Sequence, residues 1–208
     1  MAHTPMAEIF AEIYRLKSWG DGESPSGPGS GLARTEGIRA DLAALLRSLG
    51  VRSLLDAGCG DFHWMRAADL GLATYIGVDV VGEIVSACTT QYARDGYTFT
   101  CLDITRDPLP CVDLIVCRDV LPHLSYADIH RALDNFVASG STWLLTNTFV
   151  ERDTNSDIAT GDWRPINLER APFSLPAPSQ VLDERCHHTG GIYRDKRLAL
   201  WEVRSCRV

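Results

Sequence analysis

Leu54-Leu55-Asp56-Ala57-Gly58-Cys59-Gly60 reads as an apolar strand that ends in a carboxylate and runs into a Gly-x-Gly turn. Glycines at such a turn let the backbone approach a ligand closely and take angles that a Cβ would forbid. Working outward, Tyr75-Ile76-Gly77-Val78-Asp79 is a second strand with a terminal Asp, 23 positions after Asp56. A third, Phe99-Thr100-Cys101-Leu102-Asp103, ends the same way. One Asp at a strand end often only caps a turn. Three in succession beside a Gly-x-Gly turn agree with one another and describe a nucleotide-sized crevice at the carboxyl ends of parallel strands.

The rest of the chain alternates in step with that reading. Strands are expected near 52–58, 75–80, 97–103, 112–117 and 142–146, with helices near 62–70, 82–94 and 126–139. The apolar run Val112-Asp113-Leu114-Ile115-Val116-Cys117 suits a parallel strand buried on both faces. Ser125-Tyr126-Ala127-Asp128 has the form of a capping box, and Gly140 ends the helix it opens. The segments 180–184 and 198–203 flank Gly190-Gly191 with no room for a crossover helix, so they should form an antiparallel hairpin. Before the first strand, Met6, Ile9, Phe10, Ile13 and Leu16 mark an amphipathic helix, and Ile38, Leu42, Leu45, Leu46 and Leu49 mark a second that closes at Gly50. Between them lies the Gly/Ser/Pro-rich stretch 19–31, readable as a flexible linker or as a lid. The organisation expected is an N-terminal helix and lid over 1–34 and an α/β domain over 35–208.

Composition narrows the function. Net charge is −7, from 20 Lys+Arg against 27 Asp+Glu, with no basic run, which argues against a nucleic-acid footprint. No apolar stretch approaches the roughly 20 residues of a membrane helix, and the start lacks the features of a secretory signal. Seven cysteines without Cys-x-x-Cys spacing suit a reducing cytoplasm. In Cys186-His187-His188 the adjacent side chains of a strand would point to opposite faces, so no metal site is expected. A nicotinamide-dependent oxidoreductase would need a further glycine where His63 stands.

Taken together the pattern resembles the class I S-adenosylmethionine (SAM)-dependent methyltransferases over roughly residues 35–205. The resemblance implies an α/β, Rossmann-like, seven-stranded mixed sheet with helices on both faces, five parallel βα units and a C-terminal antiparallel hairpin. It implies that Gly58 and Gly60 contact the methionine part of SAM and that Asp56 orients its amino group. Asp79, followed by Val80, matches the residue that grips both ribose hydroxyls, a task suited to two carboxylate oxygens. Asp103 and Ile104 correspond to the pair beside the adenine. Cys117-Arg118-Asp119 falls where the family lines cofactor and acceptor, and Trp19 and Ser30 belong to the lid that would close over SAM. Phe62 is a departure, standing where many members have a third glycine.

Methyl transfer from SAM to a hydroxyl calls for a base. His123, just beyond the fourth strand, is the first candidate and Asp119 the second. In the long irregular connection of about 150–180, Trp163, Arg164 and Asn167 offer an aromatic wall, a guanidinium and an amide, read as a clamp for an anionic acceptor. The expectation is therefore an enzyme that produces S-adenosylhomocysteine (SAH) by methylating a small, anionic molecule, with oxygen favoured over nitrogen. Small bacterial relatives with such lids act on natural-product, phosphonate or surface-sugar intermediates. The alternatives are an N-methyltransferase, a nucleic-acid methyltransferase and a non-catalytic SAM-fold partner subunit. Oligomeric state, a homodimer among the options, does not follow from the sequence.

Overall fold

The computed structural model describes residues 5–20, 22–186 and 190–207. Its element order is α1 (Met6–Arg15), α2 (Leu32–Leu49), β1 (Ser53–Ala57), β2 (Thr74–Asp79), α3 (Gly82–Tyr92), β3 (Tyr97–Cys101), β4 (Leu114–Cys117), α4 (Tyr126–Ala138), β5 (Trp143–Phe149), β6 (Gln180–Asp183) and β7 (Lys196–Glu202). The strands form one mixed sheet in the order β3-β2-β1-β4-β5-β7-β6. This is the Rossmann-like arrangement the sequence pattern implies. No helix among the described residues is long and apolar enough to cross a membrane.

The chain divides into two compact units, one up to Ile104 and one from Thr105. In the first, β1, β2 and β3 pair in parallel with Asp56 opposite Gly77 and Asp79 opposite Cys101. The register brings successive strand ends to one edge. Helix α2 buries Ile38, Leu42, Leu45 and Leu46, the i, i+4, i+7, i+8 stripe of a core-facing helix. It ends at Gly50, whose φ of +65° makes the left-handed cap. The apolar face of α1 is covered less well. Met6 is buried, but Leu16 is 68% exposed.

The expected helix over 62–70 is absent. A single 3-10 turn, Met65–Ala67, stands in its place. Phe62 has a φ of +59°, a conformation from which a right-handed helix cannot start. Its ring is held by Tyr75, Phe99 and Tyr92 at centroid distances of 4.8, 5.2 and 5.5 Å. Position 62 therefore takes the backbone shape of a glycine, and the aromatic contacts offset a strain on the order of 1–2 kcal/mol.

In the second unit β4 and β5 are parallel, while β7 runs antiparallel to both β5 and β6. Every residue of β4 is buried, as its continuous apolar run demands. Ser125 caps α4 by accepting the Asp128 N–H at 3.2 Å. The reciprocal half of the box is replaced: Thr160 Oγ1 accepts the Ser125 N–H, and the Asp128 carboxylate takes the Ser125 and Thr160 hydroxyls. That exchange anchors the irregular 150–179 segment to the helix start.

Candidate functional site

In the first unit, Asp79 ends β2 with its side chain turned along the Gly-x-Gly turn. Its Oδ2 accepts the Gly60 N–H and its Oδ1 the Val81 N–H, each at 3.0 Å. Burial lifts the Asp79 carboxyl above its ordinary range, and the N–H groups of Val81, Gly60 and Val80 pull it back. A carboxylate has about four lone-pair sites, so two backbone bonds orient it and leave capacity for a pair of ligand hydroxyls. Gly60, at φ +52°, has no room for a side chain: a Cβ there would sit 2.2 Å from Ser26 Oγ. Ser26 Oγ therefore occupies the place a side chain would take, and the 22–31 segment lies directly against this turn.

Asp56 is placed differently from its expected role. It is 3% exposed and its Oδ2 accepts the Tyr75 hydroxyl at 2.6 Å. Asp103 and Ile104 are both buried, at the point where β3 has ended. Trp19 and Ser30 lie near the two ends of the 19–31 stretch, of which residues 22–31 form a strap. Trp19 packs 6.1 Å from Phe10 and, with Glu23, Ser24, Pro28 and Arg34, lines a cavity of about 320 Å³. The strap returns to the loop after β1 through Ser24 and Ser26 on Asp61 and through Glu23 on His63. Glu23, Ser24 and Ser26 are thus each fixed by a side-chain bond to that loop.

In the second unit, Cys117, Arg118 and Asp119 follow β4. Cys117 is fully buried. Arg118 is engaged by Glu184 through a two-armed contact, Nε to Oε1 at 2.8 Å and Nη2 to Oε2 at 2.7 Å. Its remaining arm lies 3.4 Å from Asp119. Lys196 Nζ is 2.6 Å from Asp119 Oδ1 and 3.8 Å from Glu184. Asn147 bridges the two acids, donating to Glu184 and accepting the Asp119 N–H. Two cations and two anions so neutralise each other, which burial requires. Burial works against each charge and is outweighed by the partners: Arg118 is pushed up, Asp119 and Glu184 down. Asp119, at φ +58° with its side chain 30% exposed, is the member that reaches the surface. Its pairing with Lys196 and Arg118 holds the Asp119 carboxyl below its ordinary range, which weakens it as a base.

His123 sits on the Leu121–His123 turn. Its Nδ1 lies 2.9 Å from the Asp162 carbonyl. Only N–H can satisfy a carbonyl, so the proton is assigned to Nδ1 and the lone pair of the neutral ring to Nε2. Burial lowers the pKa of His123 from the usual value and outweighs the raising effects of the Asp162 bond and the Asp119 charge. The imidazole is therefore neutral at pH 7, in the form a general base requires.

Arg164 and Asn167 do not form the expected anion clamp. Arg164 is 5% exposed, and its guanidinium donates to the carbonyls of Ser156, Leu121, Pro122 and Leu124. Asn167, 2% exposed, donates to the Arg152 carbonyl and accepts the Glu169 N–H. Both side chains pin the loop to itself and to the His123 turn. Buried loop carbonyls must find donors, and that need claimed these residues. Trp163 remains 40% exposed, edge-on to Tyr193 and Phe149. His187 and His188, considered above for metal binding, lie outside the described residues.

The sequence reading missed Glu184, Lys196 and Asn147, whose hydrogen-bond partners lie 28 to 77 positions away. It also missed Ser24, Ser26 and Asp61.

Residues 55–138 match the model of a family described as a methyltransferase domain. N-methyltransferase NodS from Bradyrhizobium japonicum WM9, in complex with SAH, superposes with a TM-score of 0.64 at 17% identity, over 93% of this chain and 97% of that one. Magnesium protoporphyrin IX methyltransferase ChlM from Synechocystis PCC 6803, with bound SAM, gives a TM-score of 0.62 at 13% identity, over 97% and 99%. No curated protein matches the chain. Sheet order and site thus define the fold of the class I SAM-dependent methyltransferases. Within it, residues 55–138 are the stretch that resembles that family.

Proposed function

We propose that this chain transfers a methyl group from SAM to a hydroxyl of a small molecule, releasing SAH. The observation that carries the reading is the Asp79 carboxylate, aimed by the Gly60 and Val81 N–H groups at the end of β2. Both solved neighbours hold SAM or SAH, and the Gly60–Asp79 geometry is what such a ligand needs. Bound SAM supplies a methyl group on a positively charged sulfur, open to in-line attack by an acceptor lone pair. Asp79 would hold the ribose, and Gly58 and Gly60 would admit the amino-acid part.

On the acceptor side, His123 Nε2 takes the hydroxyl proton, while the Nδ1–Asp162 bond fixes the tautomer. The anionic-acceptor preference lost its support with Arg164 and Asn167, so the acceptor is described only as a small molecule with an ionisable hydroxyl. NodS is an N-methyltransferase, which keeps nitrogen as a second reading; an amine acceptor would call on His123 in the same way.

Isothermal titration of the purified chain with SAH, with NADH as control, tests the reading. Micromolar SAH binding that Asp79→Ala abolishes supports it. Wild-type protein that ignores SAH, or that binds NADH instead, refutes it.

A further inference from the structure

Two carboxylates flank the Gly58–Gly60 turn, and they are in opposite situations. Asp56, before it, is sealed in the sheet with Tyr75 on its Oδ2. Asp61, directly after it, is half-buried and is the hub of the strap. Ser24 Oγ and Ser26 Oγ both donate to Asp61 Oδ1, at 2.9 and 3.1 Å. Ser26 Oγ in turn accepts the Asp61 N–H at 3.1 Å, and Ser24 Oγ accepts the Ser26 N–H. Beside this knot, Glu23 meets His63 Nε2 at 2.9 Å through Oε1 and accepts the Leu32 N–H at the start of α2 through Oε2. One Asp61 oxygen is thus used twice by the strap. Among the described residues no hydrogen bond reaches the other, Oδ2.

We propose that Asp61, and not Asp56, receives the ammonium group of the cofactor's amino-acid part on Oδ2, while its Oδ1 holds the strap closed. This rests on the SAM reading above and assigns a residue that the Gly-x-Gly pattern does not single out. An ammonium donor and a carboxylate acceptor form a charge-assisted bond, stronger than a neutral one. The two halves of Asp61 then work on each other. A ligand that fixes the carboxylate rotamer favours the serine bonds, and a closed strap presents Oδ2 already oriented. Coupling of this kind is reciprocal.

The local field agrees. The charges of Asp61, Asp79 and Asp56 all bear on Cys88 Sγ and, after burial, push its thiol up to about 12. Three carboxylates around one turn favour a ligand with two positive centres, the ammonium and the sulfonium. Loss of the sulfonium charge on methyl transfer weakens that attraction and assists product release.

The test uses the full chain and two ligands. SAH carries the amino-acid part; 5′-methylthioadenosine keeps the adenosine and thioether without it. For Asp61→Asn, SAH affinity should fall at least tenfold and that of methylthioadenosine should hold, while amide exchange over 23–31 accelerates. Equal loss for both ligands would reveal a purely structural residue and overturn the proposal, as would no loss for either. If Asp61→Asn unfolds, Ser24→Ala/Ser26→Ala keeps the charge and carries the test. Exchange over 23–31 should then rise and SAH affinity drop severalfold with methylthioadenosine unchanged; an unchanged strap or unchanged SAH affinity overturns it. Wild-type protein that binds neither ligand would instead sink the cofactor reading itself.

Discussion

Lys196 Nζ, at the first residue of β7, lies 2.6 Å from Asp119 Oδ1, 77 positions earlier in the chain. The contact ties the antiparallel C-terminal strands to the turn that leaves β4. It also keeps Asp119 ionised in a left-handed conformation that a side chain rarely adopts.

Lys196→Met should destabilise the fold, because it strands Asp119 and Glu184 on a single cation. Breaking a buried pair by removing one partner costs about 3 kcal/mol, or about 6–12 °C in Tm for a chain of this size. The pH dependence has a defined sign. The folded Asp119 carboxyl is held below its unfolded value near 3.9, so the stabilisation is complete above that pH and is lost as pH falls further toward the folded value. Asp119→Asn should remove this acid-side loss. Calorimetric melts between pH 2 and pH 7 check both variants.

For His123 the sign is set by a lowered folded pKa. The neutral ring is the folded form, so its contribution is complete above the unfolded value near 6.5 and is lost as pH falls toward the folded value. Methyl transfer to a hydroxyl acceptor should show an acid limb below pH 6.5 in kcat/KM. His123→Ala should cost about 10²–10⁴-fold in kcat with little change in SAH affinity. A variant at full activity would remove the base.

Arg164→Ala should leave the affinity for SAH unchanged and damage stability instead. Four main-chain carbonyls lose the guanidinium, and those of Ser156 and Leu124 lose the one donor that reaches them among the described residues while Leu121 and Pro122 keep a backbone N–H, with an expected cost of about 3 kcal/mol. Arg164→Lys should rescue little of it, since one ammonium cannot reproduce a planar fork. Chemical denaturation distinguishes this from the sequence-level expectation, under which the acceptor KM alone would rise.

Gly60→Ala tests the close approach at the turn. The new methyl group would meet Ser26 Oγ at 2.2 Å and the φ of +52° would be strained. The strap should be displaced, with a loss of SAH affinity of at least tenfold by titration and faster amide exchange over 23–31.

The sheet is legible in the sequence because its signals are local. Apolar runs, terminal aspartates and Gly58-Cys59-Gly60 each lie within a few residues of chain, and their order alone dictates a parallel sheet with a reversed hairpin. The helix expected over 62–70 shows the limit of such signals. Alternation with the strands places a helix there, but the Phe62 ring is held among Tyr75, Phe99 and Tyr92 with its backbone outside the helical region.

By itself, then, the sequence determined the succession of strands and helices and the mixed, Rossmann-like class of sheet, since those follow from residue type and spacing. The tertiary structure alone decided what each polar side chain does. Arg164 and Asn167 became loop staples because buried carbonyls need donors, and Arg118 and Asp119 entered a neutral four-charge cluster because burial demands counter-charges. Asp61 emerged from among the chain's carboxylates because two serines, 35 and 37 positions earlier, fold back to meet it. A hydrogen bond joins atoms that are close in space, and closeness in space between residues so far apart along the chain is settled only by the packing of the whole.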